Sequence, residues 1–281
     1  MTIFDKFKLD NQVAIVTGGA TGLGKAMAEG LAQAGTNLVI ADINLDTAQS
    51  TAQYFTETTQ NEAIACQVDV TSASDVAKMI DVVMEKFGRI DILFNNAGIN
   101  EHVKFEDMPY ERWLKNMDVN INSMVLVSQA VGKIMIEQQK GSIINTSSMS
   151  GLIVNTPQPQ AAYNTSKGAV IMFTKSLANE WAKHGIRVNT IAPGYMKTEL
   201  TKDYFAQGGE MIDTWMKFTP LGRPGTPDEL QGPALFLASD ASSFVTGSVL
   251  TIDGGYTVYK FCDSRDCDEI LMITIAFSLA L

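Results

Sequence analysis

The stretch SSMSGLIVNTPQPQAAYNTSK, residues 147–167, has the residue types and spacing for proton transfer. Tyr163 stands four residues before Lys167, so on a helix both side chains share one face and an ammonium can sit beside a phenol. An unperturbed phenol titrates at about pH 10, and a nearby positive charge favours its ionised form. Such a tyrosine can take and return a proton at neutral pH. A hydroxyl pair, Ser147 and Ser148, precedes it across an interval of substrate size. The same spacing also describes an aromatic ring packed under a lysine stem, so the remaining elements must decide between the two.

Those elements alternate. An apolar β-branched run at 13–16 precedes TGGATGLG, residues 25–34 read as helix and 37–40 as a second strand, together a βαβ unit. Gly18, Gly22 and Gly24, with Thr21 and Leu23 between them, let the backbone turn tightly and approach a pyrophosphate at the N-terminus of the helix. A plain glycine-rich turn is the alternative; the strand before and the helix after favour cofactor binding. Asp42 follows the second strand, where a carboxylate accepts hydrogen bonds from both hydroxyls of an adenosine ribose and repels a 2′-phosphate. Thr21 and Ile43 beside it are neutral, so NAD is expected over NADP, with Lys25 the nearest exception.

The pattern continues with helix at 46–59, strand at 63–68 ending at Asp69, helix at 74–87 and strand at 91–94 ending in NNAG. Residues 110–135 read as one long helix whose polar interruptions, Asp118, Asn120, Asn122 and Ser123, include three buried amides or hydroxyls in need of partners. Strand 142–146, helix 163–184, strand 186–191, helix 227–238 and strand 248–252 complete the series, and DGGYT closes it. This alternation predicts an α/β fold: one Rossmann-type, doubly wound parallel sheet with helices on both faces, spanning 1–259. Residues 195–223, irregular and rich in aromatics and methionine, are expected to cover a substrate, with ordinary helix core as the alternative. The tail at 260–281 continues no pattern and is expected to be non-native sequence; a subunit-packing arm and a weak membrane contact are the alternatives.

Composition removes several classes. With 46% hydrophobic residues in 281, the chain can bury a substantial core. Its 21 basic and 31 acidic residues give a net charge of −10 with no basic cluster, so nucleic acid is not an expected partner. Cys66, Cys262 and Cys267 form neither a disulfide framework nor, without histidines, a metal site, which fits a reducing cytosol. The N-terminus reads as no signal peptide, and a cytoplasmic protein with no membrane partner is expected.

Taken in order, TGGATGLG, Asp42, Asp69, NNAG, Asn120, Ser148, YNTSK and PGYMKT resemble the short-chain dehydrogenase/reductase family over residues 9–258. The resemblance implies a role for each position. Gly18, Gly22 and Gly24 would form the pyrophosphate loop, Asp42 the ribose anchor, Asp69 and Val70 the adenine contacts, and Asn95, Asn96, Ala97 and Gly98 the wall beside the cofactor. Ser148 would hydrogen-bond the reacting oxygen, Tyr163 act as acid and base, Lys167 lower its pKa and bind the nicotinamide ribose, and Asn120 hold a water in a proton relay. Pro193, Gly194 and Thr198 would grip the carboxamide.

Candidate substrate contacts are Asn100, Ser148, Ser150, Gln160 and Tyr195. The amides Asn155, Gln158 and Gln160, with Asn100 and His102, suit a substrate bearing several hydroxyls; a surface loop without ligand is the alternative. The interval is similar to that of members acting on gluconate, 2-deoxygluconate, sorbose and mannitol, which implies NAD-linked oxidation of a small polyol, ketose or sugar acid. The family also implies a homo-oligomer, commonly a tetramer. Competing expectations are a 3-oxoacyl thioester reductase, disfavoured by the acidic balance and Asp42, and a catalytically silent nucleotide-binding or scaffold protein, disfavoured by the intact Ser148, Tyr163 and Lys167.

Overall fold

The computed structural model describes residues 2–199 and 201–258. The tail at 260–281, with Cys262 and Cys267, lies outside them. In chain order the elements are β1 (Val13–Thr17), α1 (Gly22–Gln33), β2 (Asn37–Asp42), α2 (Leu45–Thr58), β3 (Ala63–Gln67), α3 (Ala73–Phe87), β4 (Ile92–Asn95), α4 (Tyr110–Met117), α5 (Ser123–Gln138) and β5 (Gly141–Thr146). After these come α6 (Ala161–Trp181), β6 (Ile186–Pro193), α7 (Lys202–Gln207), α8 (Glu210–Lys217), α9 (Gln231–Ala238) and β7 (Val249–Ile252).

The strands are nearly continuous apolar runs because both faces of the sheet are covered. Successive side chains point to opposite faces. Ala14 and Val16 join Leu38 and Ile40 in one core under α1, α2 and α9; Val13 and Ile15 join Val39 and Ala41 in the other, under α3, α5 and α6. Helix starts are set by local chemistry: the Asn44 side chain accepts from Thr47 N ahead of α2, and that of Ser72 from Asp75 N ahead of α3. α3 stops at Gly88, whose φ of 68° is left-handed.

All seven strands are parallel, in the order β3-β2-β1-β4-β5-β6-β7. The order reverses between β1 and β4, so a crevice opens above their carboxyl ends, where the glycine loop and NNAG lie. This is the expected doubly wound sheet. α1 begins at Gly22, three residues before the predicted start at 25, and α6 begins at Ala161 rather than 163.

The predicted long helix exists as Tyr110–Gln138, but it is widened by a π turn at Asp118–Asn122. Of its polar interruptions Asn120 and Ser123 are buried while Asp118 and Asn122 are exposed; Asn116, one turn earlier, is buried instead. By length and apolarity this run could cross a membrane. Its apolar residues have a cause inside the molecule, because Val127, Val131 and Met135 pack against the sheet.

Under the crevice, polar side chains cross the core. Asn95 Nδ2 donates to Ser128 Oγ and to Asn145 Oδ1, both at 2.9 Å, and Asn145 Nδ2 donates to Thr174 Oγ1 at 2.9 Å. These bonds join β4 and β5 to α5 and α6, and every partner is buried. Asn95→Ala strands two acceptors, at an expected cost of ~1–3 kcal/mol. The shift of the urea midpoint measures it; an unchanged midpoint would show that the ladder adds nothing.

Candidate active site

At the nucleotide end, Thr17 stitches the two loops. Its Oγ1 donates to Phe94 O at 3.2 Å and accepts from Asn96 N at 3.0 Å and Ala97 N at 3.2 Å. Asn96 Nδ2 in turn donates to Thr17 O and Gly18 O, at 3.2 and 3.1 Å. Gly18 and Gly22 have φ of 61° and 56°, which favours glycine, and a Cβ on Gly24 would stand 2.1 Å from Gly18 O. No heavy atom lies within 4 Å of a Cβ built on Gly22, and the Thr21 side chain makes no cap bond. The first N–H groups of α1 thus have no capping side chain beside an open cradle, which fits an anionic pyrophosphate. Leu23 is half-buried against the core.

Asp42 stands beside this loop: Oδ2 accepts from Ala20 N at 3.2 Å and Oδ1 from Asn44 N at 3.1 Å. Lys25 Nζ lies over the Tyr54 ring, 5.0 Å from its centroid, and Tyr54 donates to Glu29 Oε1 at 3.0 Å. Val68 N donates to Asp42 O at 2.9 Å, which brings the Asp69–Val70 corner alongside. The Thr71 hydroxyl and N–H hold the Asp69 carboxyl below the usual range.

At the catalytic end, α6 is clipped twice to β5. Lys167 Nζ donates to Thr146 O and Ser147 Oγ donates to Lys167 O, both at 2.8 Å. Lys167 is only 3% exposed, and burial pushes its ammonium down to about 8. Its Nζ lies 5.6 Å from the centroid of the Tyr163 ring. Burial raises the phenol and the hydrogen bond with Ser148 pulls it back. Lys167 was expected to lower that pKa. Within the protein alone burial dominates, and the ammonium is engaged by Thr146 O.

Ser148 Oγ also accepts from Ser150 N at 3.1 Å. Asn120 sits in the π turn with its amide committed: Oδ1 accepts from Ile99 N at 2.8 Å, while Nδ2 reaches Ile99 O, Asn116 Oδ1 and Ser166 Oγ at 2.9, 3.0 and 3.1 Å. Two hydrogens serve three acceptors, so this amide has no donor left for a water. A Cβ on Gly98 would stand 3.1 Å from Asn120 Oδ1 and 3.4 Å from Lys167 Nζ, which ties NNAG to the same cluster. Asn116 and Ser166 escape sequence reading, although Asn116 and Asn120 share the i, i+4 spacing.

The amides of the interval behave differently from expectation. Asn155, Gln158 and Gln160 are 4%, 8% and 4% exposed and bond to one another, to Ser150, to Tyr195 and to Trp215. Their sequence suited them to substrate hydroxyls; the fold instead spends them on packing the loop against residues 195–223. That segment holds α7 and α8, with Ile212 and Trp215 buried and Tyr195 stacked on Trp215 at 4.0 Å and 12°. Asn100 and His102 remain exposed, their side-chain nitrogens 3.4 Å apart, and partial desolvation of the ring by its surroundings draws the imidazole below its ordinary pKa. Gly194 N donates to Ile252 O at 2.9 Å just past Pro193, and Thr198 N donates to Thr201 Oγ1 at 2.8 Å.

Residues 18–257 match the family described as enoyl-(acyl carrier protein) reductase. The chain is 44% identical over 257 residues to a sorbose reductase from Candida albicans, covering 91% of this chain and 90% of that protein. Over 264 residues it is 41% identical to a galactitol 2-dehydrogenase from Rhizobium johnstonii, covering 92% and 100%. The crystal structure of a gluconate 5-dehydrogenase from Burkholderia cenocepacia in complex with NADP and tartrate superposes with a TM-score of 0.86 at 39% identity, covering 92% and 99%. Proteins named 3-oxoacyl-(acyl-carrier-protein) reductase are also among the relatives. The chain belongs to the short-chain dehydrogenase/reductase family. It is an oxidoreductase of alcohol and ketone groups that uses a nicotinamide cofactor.

The buried ammonium has a thermodynamic consequence. Because its folded pKa lies below the ordinary value, Lys167 lowers stability fully below pH of about 8, and this penalty fades as pH rises toward the unfolded value of about 10.4. In cofactor-free protein the stability of Lys167→Met relative to wild type should therefore be greatest below about pH 8 and decline between about pH 8 and 10, on top of a pH-independent cost for the Thr146 O acceptor left without its donor. Chemical denaturation across that range measures it, and a relative stability that rises with pH would contradict the assignment.

Proposed function

We propose that this enzyme interconverts a secondary alcohol and a ketone on a small polyhydroxylated substrate, a polyol, ketose or sugar acid, with NAD(H) as cofactor. The observation that carries it is the grouping of Ser148, Tyr163 and Lys167 at the end of β5, in a crevice whose other end presents the glycine cradle and Asp42. Gly18 through Gly24 would hold the pyrophosphate, Asp42 the adenosine ribose, Asp69 and Val70 the adenine, and Pro193, Gly194 and Thr198 the carboxamide. Asn96, Ala97 and Gly98 form the wall beside them. When bound, the nicotinamide supplies hydride acceptance and donation. Tyr163 takes the alcohol proton in oxidation and returns it in reduction, while Ser148 hydrogen-bonds the reacting oxygen. Lys167 lies where a cofactor ribose and the phenol both come within its reach, and its charge favours the phenolate. With the Asn120 amide committed, a relay water there would use the backbone carbonyl of the widened turn.

The substrate class now rests on the relatives named for sorbose, galactitol and gluconate, since the interval's amides are occupied. A 3-oxoacyl thioester is the second reading, favoured by the relatives named 3-oxoacyl-(acyl-carrier-protein) reductase. The net charge of −10 weighs against docking an acidic carrier. A homo-oligomer, as a tetramer, in the cytosol completes the proposal.

NAD is chosen on electrostatic grounds. Asp42 opposes a 2′-phosphate, and Lys25 is drawn onto Tyr54. The gluconate 5-dehydrogenase relative binds NADP, so kinetics with both cofactors is the test. kcat/KM should be higher with NAD(H), and equal use of both would refute the preference. Tyr163→Phe should lower kcat at least ~10²-fold while NADH affinity changes little. Near-normal turnover in that variant would remove the mechanism. A screen of polyols, ketoses, aldonates and acetoacetyl thioesters identifies the substrate class directly.

A further inference from the structure

The interval between Ser148 and Tyr163 contains a polar network that the proton chemistry does not use. It starts on α8, where Trp215 Nε1 donates to Gln158 Oε1 at 2.8 Å. Gln158 Nε2 and Asn155 Nδ2 each donate to the Tyr195 hydroxyl at 2.9 Å. Asn155 Oδ1 accepts from Ser150 Oγ at 3.1 Å and from Gln160 Nε2 at 2.6 Å, and Ser150 N donates to Ser148 Oγ at 3.1 Å. Gln160 stands directly before α6, and its Nε2 also reaches Asn164 Oδ1 at 2.9 Å, one residue past Tyr163.

We infer that Trp215 and Gln158 are positioning residues: a buried, uncharged relay fastens the segment at 195–223 to the serine loop and to the start of α6, so that the substrate wall and the Ser148 hydroxyl are set together. Connectivity is the first support, because hydrogen bonds run through Gln158, the Tyr195 hydroxyl, Asn155 and Ser150 from the Trp215 indole to Ser148 Oγ. Burial is the second. Trp215 is 7% exposed and Gln158 8%, so removing either partner leaves the other's polar atom stranded without water. The absence of charge within the relay is the third: its members are amides, hydroxyls and an indole, and burial pushes the Tyr195 phenol further up, so the relay holds its bonding across the working pH range. The Tyr195–Trp215 stack then fixes the indole in the plane the bond requires. Packing alone would ask only for apolar side chains in this corner. Three adjacent buried amides are costly unless each is satisfied, which makes the corner specific in geometry.

This inference rests on the proposed roles of Ser148 and Tyr163, and the test separates the two. Trp215→Phe keeps an aromatic ring against Tyr195 while removing the N–H donor and part of the indole's volume; Gln158→Leu breaks the centre of the relay. Each is compared with wild type on whichever substrate the screen identifies, an acetoacetyl thioester included. Trp215→Phe should lower kcat/KM ~10-fold through kcat as well as KM, with NADH affinity within about twofold. The double variant should be no worse than Gln158→Leu, because both changes break one bond. The rise of the oxidation rate with pH should also move to higher pH in Trp215→Phe, since loosening Ser148 weakens the bond that pulls the phenol down. Where Gln158→Leu fails to fold, Ser150→Ala replaces it in the same cycle. Unchanged kcat/KM, additive losses, an unmoved pH limb, or a loss that tracks NADH affinity or melting temperature would each overturn the inference. Turnover by Tyr163→Phe would instead overturn the proton chemistry and leave the relay's geometry untouched.

Discussion

An ammonium that is almost wholly buried must find an acceptor, and at Lys167 that acceptor is the last carbonyl of β5, Thr146 O. The return bond from Ser147 Oγ to Lys167 O closes a small ring of contacts between strand and helix. With both in place, Tyr163 one turn earlier on α6 can only lie beside Ser148, one residue beyond the clip. A side chain on Gly98 would press on Asn120 Oδ1 at 3.1 Å and reach Lys167 Nζ at 3.4 Å, so the neighbouring amide would have to give by a few tenths of an ångström. The grouping of Ser148, Tyr163 and Lys167 is built around one desolvated charge and its acceptor.

Around that clip the molecule uses neutral polar side chains as structural members. The Asn95–Asn145–Thr174 ladder runs beneath it, the Asn116–Asn120–Ser166 cluster beside it, and the Ser150–Asn155–Tyr195–Gln158–Trp215 relay toward residues 195–223. Each is largely buried, and each joins elements that are distant in sequence. Apolar packing would tolerate small slips between those elements; paired amides lose their bonds when they slip. The site is thus held to a tighter geometry than the two apolar cores alone would impose.

Burial pushes the phenol and the ammonium in opposite directions on the pH scale, the phenol up and the ammonium down. Both shifts disfavour charge in the protein by itself. An anionic cofactor laid along the glycine cradle brings negative charge to the same crevice, which favours the ammonium again.

The amino-acid sequence by itself determined the layered architecture, because short, nearly continuous apolar runs alternating with helical segments have few other packings. It also determined the candidate chemistry: Tyr163 and Lys167 are four residues apart on one helix, and the glycine loop follows its strand directly, so both are local patterns. What only the tertiary structure decided is where polar side chains spend their hydrogen bonds. The amides of NTPQPQ read as substrate contacts, yet their partners Tyr195 and Trp215 lie tens of residues away, and Ser166 gave no local sign of its bond to Asn120. Hydrogen-bond partners across a fold have no period along the chain, so spacing cannot reveal them. Burial, which sets the direction of the Tyr163 and Lys167 pKa shifts, is likewise a property of the assembled molecule.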